Sequence, residues 1–174
     1  MSSAQSDGKA PQTLILMRHA KSDWSDGALP DHDRPLNDRG RRDTPRMANW
    51  LAELDLVPDL ILCSSAQRTR ETAQLLCDQW DSTPEILYSQ QLYLASPMDI
   101  ADTINRDVNR SSRLMVLAHN PGMSYLVSAL AGESLDMPTA AMAVFQVEKP
   151  WYEFRSDQRC RLTDFMRPKA LRKS

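Results

Sequence analysis

The chain has 174 residues, 25% charged and 41% hydrophobic, with a formal net charge of −2. That length supports one domain with a sizeable core, and the near-neutral balance excludes the basic field of a nucleic-acid-binding protein. No apolar run approaches the roughly 20 residues of a membrane span, and the polar start lacks the apolar centre of a secretory signal. Met1 to Gln12 therefore reads as a flexible tail, followed by a single cytoplasmic domain over 13–174. Cys63, Cys77 and Cys160 lack metal-ligand spacing and read as free thiols of a reducing compartment.

Taken in order, Thr13 to Met17 is a short apolar strand that stops at Arg18-His19-Ala20-Lys21. Ser22 to Leu36, with Gly27, Pro30 and Pro35, is too irregular for a regular element and long enough to serve function. Asn37 caps a helix to about Leu54, with Met47, Trp50, Leu51 and Leu54 on one face. Pro45 fits that helix only if it bends there or starts later. After Pro58, Asp59 to Cys63 is a second buried strand. Ser64 and Ser65 are cap candidates for a helix from about Ala66 to Trp80. Glu85 to Tyr88 is a short strand, and Ser96-Pro97 opens a helix to about Val108. Arg113 to Ala118 is a third central strand. His119-Asn120-Pro121-Gly122 turns it into a helix that ends at Gly132. Ala141 to Val147 and Arg161 to Met166 are late strands, and the aromatics of Trp151 to Phe154 suit buried packing. The alternation predicts a three-layer α/β/α fold with a central, largely parallel sheet.

Ligands of open α/β sheets gather at the carboxyl ends of strands. Three such ends carry related chemistry: Arg18-His19, then Ser64-Ser65 leading to Arg68 and Arg70, then His119-Asn120. If the three strands are neighbours, two histidines and two or more arginines share one crevice. The arginine fork suits phosphate oxygens, and helix N-termini near Ala66 and Pro121 add backbone donors. The pattern points to a phosphoryl group. A metal held by His19, His119 and an aspartate is disfavoured because the arginines would repel it, so neither metal nor cofactor is expected.

The pieces Leu16-Met17-Arg18-His19-Ala20-Lys21, Asp33-Arg34-Pro35-Leu36 with Arg39-Gly40, Ser64-Ser65-Ala66 through Arg68 to Glu71-Thr72-Ala73, and Ala118-His119-Asn120-Pro121-Gly122 occur in this order. Over roughly residues 13–167 the chain resembles the histidine phosphatase superfamily, in its short bacterial branch of SixA-like phosphohistidine phosphatases. The resemblance implies a phosphoglycerate-mutase-like fold. It implies that His19 is the nucleophile, forming a phosphohistidine, and that Arg18, Arg68 and a protonated His119 hold the phosphoryl oxygens. Asn120 and Ser22 are further candidates for phosphate or substrate contact, although Asn120 serves equally as a helix cap. Arg34 either braces the pocket, contacts phosphate or forms an ion pair; Arg70 and His32 read as surface residues.

Larger members supply a carboxylic acid that protonates an alkoxide leaving group. Its place just before Leu92-Tyr93 is held here by Gln91, unless Asp23, Asp31 or Asp33 substitutes. A leaving imidazole needs little such help. The expected substrate is phosphohistidine on proteins; the alternatives are a small phosphorylated metabolite, or a non-catalytic phosphate-binding module. The partner is thus a phosphorylated protein or small phosphorylated molecule, without nucleic acid or membrane.

Overall fold

The computed structural model describes residues 11–171. The apolar run after Gln12 becomes a central strand because both of its faces are covered. Leu14 and Leu16 point to one side and Ile15 and Met17 to the other, and all four are fully buried. The strands are β1 (Gln12–Arg18), β2 (Leu60–Ser64), β3 (Glu85–Ser89), β4 (Arg113–Ala118), β5 (Met142–Val147) and β6 (Arg161–Met166). They form one sheet in the order β3-β2-β4-β1-β5-β6. β1 with β4, β4 with β2, and β2 with β3 pair in parallel; β5 runs antiparallel to both β1 and β6.

The helices are α1 (Asp38–Glu53), α2 (Gln67–Gln79), α3 (Pro97–Asp107) and α4 (Gly122–Ala131). One core packs Leu14, Leu16, Leu114 and Val116 with Ile100 and Ile104 of α3 and Leu126 and Leu130 of α4. The other packs Ile15, Met17, Ile61 and Met115 with Met47 and Leu51 of α1 and Leu76 of α2. The result is the expected α/β/α arrangement. Truncating one such buried leucine costs about 2–5 kcal/mol, so these layers hold the strand ends in register.

Several local expectations need correction. Residues 1–10 of the expected tail lie outside the described residues, but Gln12 is part of β1, paired with Val147. α1 runs unbroken through Pro45. Buried Met47, Ala48 and Leu51 anchor the turns that follow, and that packing outweighs one missing backbone bond. Asn37 does cap α1, its side chain accepting from Gly40 N–H at 2.9 Å. Neither Ser64 nor Ser65 caps α2, whose N-cap is Ala66 with no side-chain bond. Their hydroxyls are engaged elsewhere, as described below. Trp151 and Phe154 are buried, with Tyr152 exposed between them. Among the described residues, no helix is long and apolar enough to cross a membrane.

Gly40 matters for the site. A Cβ there would lie 2.4 Å from the Lys21 carbonyl oxygen, so only glycine lets α1 press against the chain leaving β1. Asn37 N–H bonds that same carbonyl at 3.0 Å. The irregular segment is closed at its neck by an isolated bridge between Ser22 and Leu36 and by Asp23 N–H bonding Pro35 O at 2.7 Å. A short 3-10 turn, Asp31–Asp33, packs against the start of α2, where Asp31 meets Arg68.

Candidate active site

Because β2, β4 and β1 are neighbours, their carboxyl ends stand side by side. His19 N–H continues the ladder past the end of β1, donating to Ala118 O at 3.1 Å. Ala140 N–H bonds the carbonyls of both Arg18 and His19, at 3.1 and 3.0 Å, from a backbone with φ of 65°. The antiparallel β5 therefore starts where β1 stops and locks it. A cleft of about 510 Å³ opens here, lined by Arg18, His19, Lys21, Ser22, Trp24, Asp31, Arg68, Leu94, His119, Asn120 and Thr139.

His19 is almost wholly buried. Its Nδ1 lies 2.7 Å from the carbonyl oxygen of Ala20. A carbonyl only accepts, so Nδ1 carries the hydrogen, and a neutral ring keeps its lone pair on Nε2. Burial, reinforced by the charges of Arg68 and Arg18 against a raising contribution from the Ala20 carbonyl, pushes its pKa down to about 3. The ring is neutral at ordinary pH.

His119 stands beside it, ring centroids 5.1 Å apart. Its Nε2 is 2.7 Å from Ser64 Oγ. Burial, then His19 and Arg68, push its pKa down to about 2. His119 is therefore neutral in the free protein: no carboxylate bonds the ring, and burial with the influence of His19, Arg68 and Arg18 outweighs the raising charge of Asp31. Unpartnered buried polar groups are uncommon and cost about 1–3 kcal/mol each. Among the described residues four such side-chain atoms occur, and three of them are Arg18 Nε, Arg34 Nε and His119 Nδ1.

Arg18 bonds Met137 O through Nη1 at 3.1 Å. Arg68, 4% exposed, gives Nη1 to Asp31 O at 2.7 Å and Nη2 to Asp31 Oδ2 at 3.0 Å. Tyr93 Oη also donates to Asp31 Oδ2, and its ring meets His119 and His32 edge-on at 5.4 and 4.9 Å. Desolvation raises the Asp31 pKa, but the bonds from Tyr93 and Arg68 and the charges of Arg68 and Arg34 outweigh it, so the carboxyl is held below its usual range.

The remaining candidates separate. Asn120 lines the cleft and also caps α4: its Oδ1 accepts from Ser124 N–H at 3.0 Å while Nδ2 donates to Met137 O. Ser22 lines the cleft and accepts from Trp24 Nε1 at 2.9 Å. Arg34 is a brace outside the lining, bonding Asp26 O at 3.1 Å and stacking 4.3 Å over the Trp24 ring. Arg70 is exposed, as expected. His32 is not a plain surface residue, since Nε2 meets Ser65 Oγ at 2.9 Å. Gln91 is exposed and outside the lining, whereas Tyr93 and Leu94 face Asp31 and the cleft respectively. Tyr93, Trp24, Leu94 and Ser64 were not singled out by sequence as site residues. Only Ser64, at the end of a strand in line with the others, carried a signal.

The sequence profile of the histidine phosphatase superfamily (branch 1) matches residues 14–91. A protein of Agrobacterium tumefaciens assigned as the phosphohistidine phosphatase SixA superposes with a TM-score of 0.78 at 30% identity, covering 92% of this chain and all of that one. The chain belongs to the histidine phosphatase superfamily. It is a phosphatase with a SixA-like fold. An uncharacterised Mycobacterium tuberculosis protein is 37% identical over 147 residues, 78% of this chain and 89% of that protein. An uncharacterised chloroplast protein of Arabidopsis thaliana is 36% identical over 142 residues, 76% of this chain; the match spans 65% of that protein's length. SixA complexed with tungstate, at 21% identity and a TM-score of 0.73 over 92% of this chain and all of that one, shares the fold.

Proposed function

We propose that this phosphatase removes phosphoryl groups from phosphohistidine on other proteins, through a phosphohistidine formed on His19. His19 Nε2 attacks phosphorus, the substrate P–N bond breaks, and its electron pair returns to the leaving imidazole. Water then attacks phospho-His19, releasing phosphate and restoring the ring. A neutral imidazole needs no base to become a nucleophile. Arg18, Arg68 and His119 take the phosphoryl oxygens, where stabilisation tightens as charge redistributes. The arriving anion offsets the cationic field on His119, so proton uptake there accompanies binding. Ser22 and Asn120 complete the wall.

The observation that carries the substrate class is Asp31. It is the carboxylate lining the cleft, and Tyr93, Arg68 and Arg34 hold it ionised. An ionised carboxylate cannot protonate an alkoxide. Asp23, half-buried with its carboxyl bonded to Ser25 N–H, and Asp33, 62% exposed beside His32, are not in the lining. A site without a ready acid suits a leaving group that needs none, and imidazole is one. The SixA assignment of the Agrobacterium protein supports the same substrate.

The test is turnover, with a chelator present, of a phosphohistidine protein, a small phosphohistidine peptide and sugar phosphates. The phosphohistidine protein should give the highest kcat/KM. A higher value on a sugar phosphate would select the metabolite phosphatase, and activity restored only by a divalent ion would overturn the metal-free mechanism.

A further inference from the structure

A carboxylate inside a phosphoryl-binding cleft repels its own ligand, so its presence there needs a reason. Asp31 is fixed by bonds to its side chain and its carbonyl. Oδ2 accepts from both Arg68 Nη2 and Tyr93 Oη, which fills its two lone-pair directions. The backbone carbonyl accepts Arg68 Nη1. The nearest cationic atom paired with Oδ1 is Arg34 Nε at 3.9 Å, beyond hydrogen-bonding distance. The side chain is 37% exposed. Asp31 thus presents a rigid carboxylate with one oxygen still able to accept, among residues that surround the nucleophile.

Resting on the phosphohistidine reading, we propose that Asp31 is a specificity-determining residue that accepts a hydrogen bond from the far ring N–H of the substrate phosphoimidazole. The ring bears phosphorus on one nitrogen and a proton on the other, and is cationic in that form. Asp31 balances this charge and orients the ring in line with His19 Nε2. When the P–N bond breaks, the pair returns to the departing nitrogen, the far nitrogen keeps its proton, and neutral imidazole leaves. No proton passes to or from Asp31. This role is distinct from that of a general acid, and it explains why a group placed like an acid is held ionised.

The test compares the parent with Asp31→Asn on a phosphohistidine peptide, p-nitrophenyl phosphate and phenyl phosphate. The asparagine keeps the shape and loses the charge. The kcat/KM ratio of phosphohistidine to p-nitrophenyl phosphate should fall about tenfold or more, the scale of a charge-assisted bond, while the ratio between the two aryl phosphates moves little. A selective fall on phenyl phosphate would make Asp31 an acid and overturn the proposal. An equal change on all three would reduce it to a clamp on Arg68, which also overturns it.

The pH profile gives a second reading. The groups around Asp31 are Arg34, Arg68, Tyr93, His32, Asp33 and the two site histidines. With Asp31 as acceptor, the parent's phosphohistidine activity should be lost at the acid side as the carboxylate protonates; with Asp31 as acid, rate should fall as pH rises through its pKa. If Asp31→Asn does not fold, Tyr93→Phe loosens the same carboxylate, and the same ratio should fall to a smaller degree; an unchanged ratio there contradicts the proposal. A parent that prefers either aryl phosphate to phosphohistidine defeats the proposed function itself, before any variant is made.

Discussion

His19, His119 and Ser64 lie where strands stop, and each is tied to a backbone carbonyl or a buried partner. Across the cleft, Trp24 and Asp31 belong to a segment anchored by a narrow neck at Ser22 and Leu36, with Trp24 60% exposed and Asp31 37% exposed. The floor is rigid because the sheet makes it so. The rim is positioned by side chains: Arg34 under Trp24, and Arg68 and Tyr93 on Asp31. On the function proposed above, chemistry belongs to the floor and choice of substrate to the rim, and substitutions on the two should separate accordingly.

His19→Ala should have the largest effect. It removes the proposed nucleophile, and steady-state assays should find no turnover of any phosphorylated substrate while the circular dichroism spectrum is retained. A His19→Ala protein with measurable turnover would place the chemistry elsewhere. Next come Arg68→Ala and His119→Ala, each expected to lower kcat on the order of a hundredfold or more, as loss of a transition-state donor does. A change confined to KM would move either residue from the floor's role to the rim's.

The floor should also show in stability. His19 and His119 have folded pKa values near 3 and 2, well below the ordinary 6.5. Above the ordinary value neither state binds the protons, so the pair adds no pH dependence. As pH falls below it, the unfolded chain takes up protons that the folded one refuses, and stability drops by about 1.4 kcal/mol per pH unit per histidine. Urea unfolding between about pH 4 and 6 should therefore show a shallower loss for His119→Asn than for the parent. Equal slopes would mean that His119 is not held neutral.

The rim should give the smallest effects. Trp24→Ala should raise KM by less than about tenfold and leave kcat nearly unchanged, as loss of uniform binding does. Gln91→Ala should change neither, since Gln91 is exposed outside the cleft. A collapse of phosphohistidine turnover in folded Gln91→Ala would contradict the rim as drawn.

The same division governs what the sequence revealed. β1, β2 and β4 were legible because continuous apolar runs bounded by polar residues have few alternatives, and the residues at their ends inherit their place from the sheet. Asp31 was weighed only as a substitute acid. Its meaning depends on Arg68, 37 residues away, and on Tyr93, 62 away, and neither contact has a periodic signature. Ser64 read as a cap because a strand-to-helix junction favours serine there; its bond to His119 exists only because β4 lies next to β2. Pro45 left the start of α1 open, and the helix runs from Asp38 through it because burial of the following turns outweighs the local propensity.

The most direct measurement is a rapid-quench experiment with a protein carrying labelled phosphohistidine, followed by peptide mapping of the enzyme. Label should appear transiently on the peptide containing His19, be stable to alkali and lost in acid as a phosphoramidate is, and decay no more slowly than the steady-state turnover. Turnover of that substrate with no label on His19, or with label on another residue, would contradict the central claim.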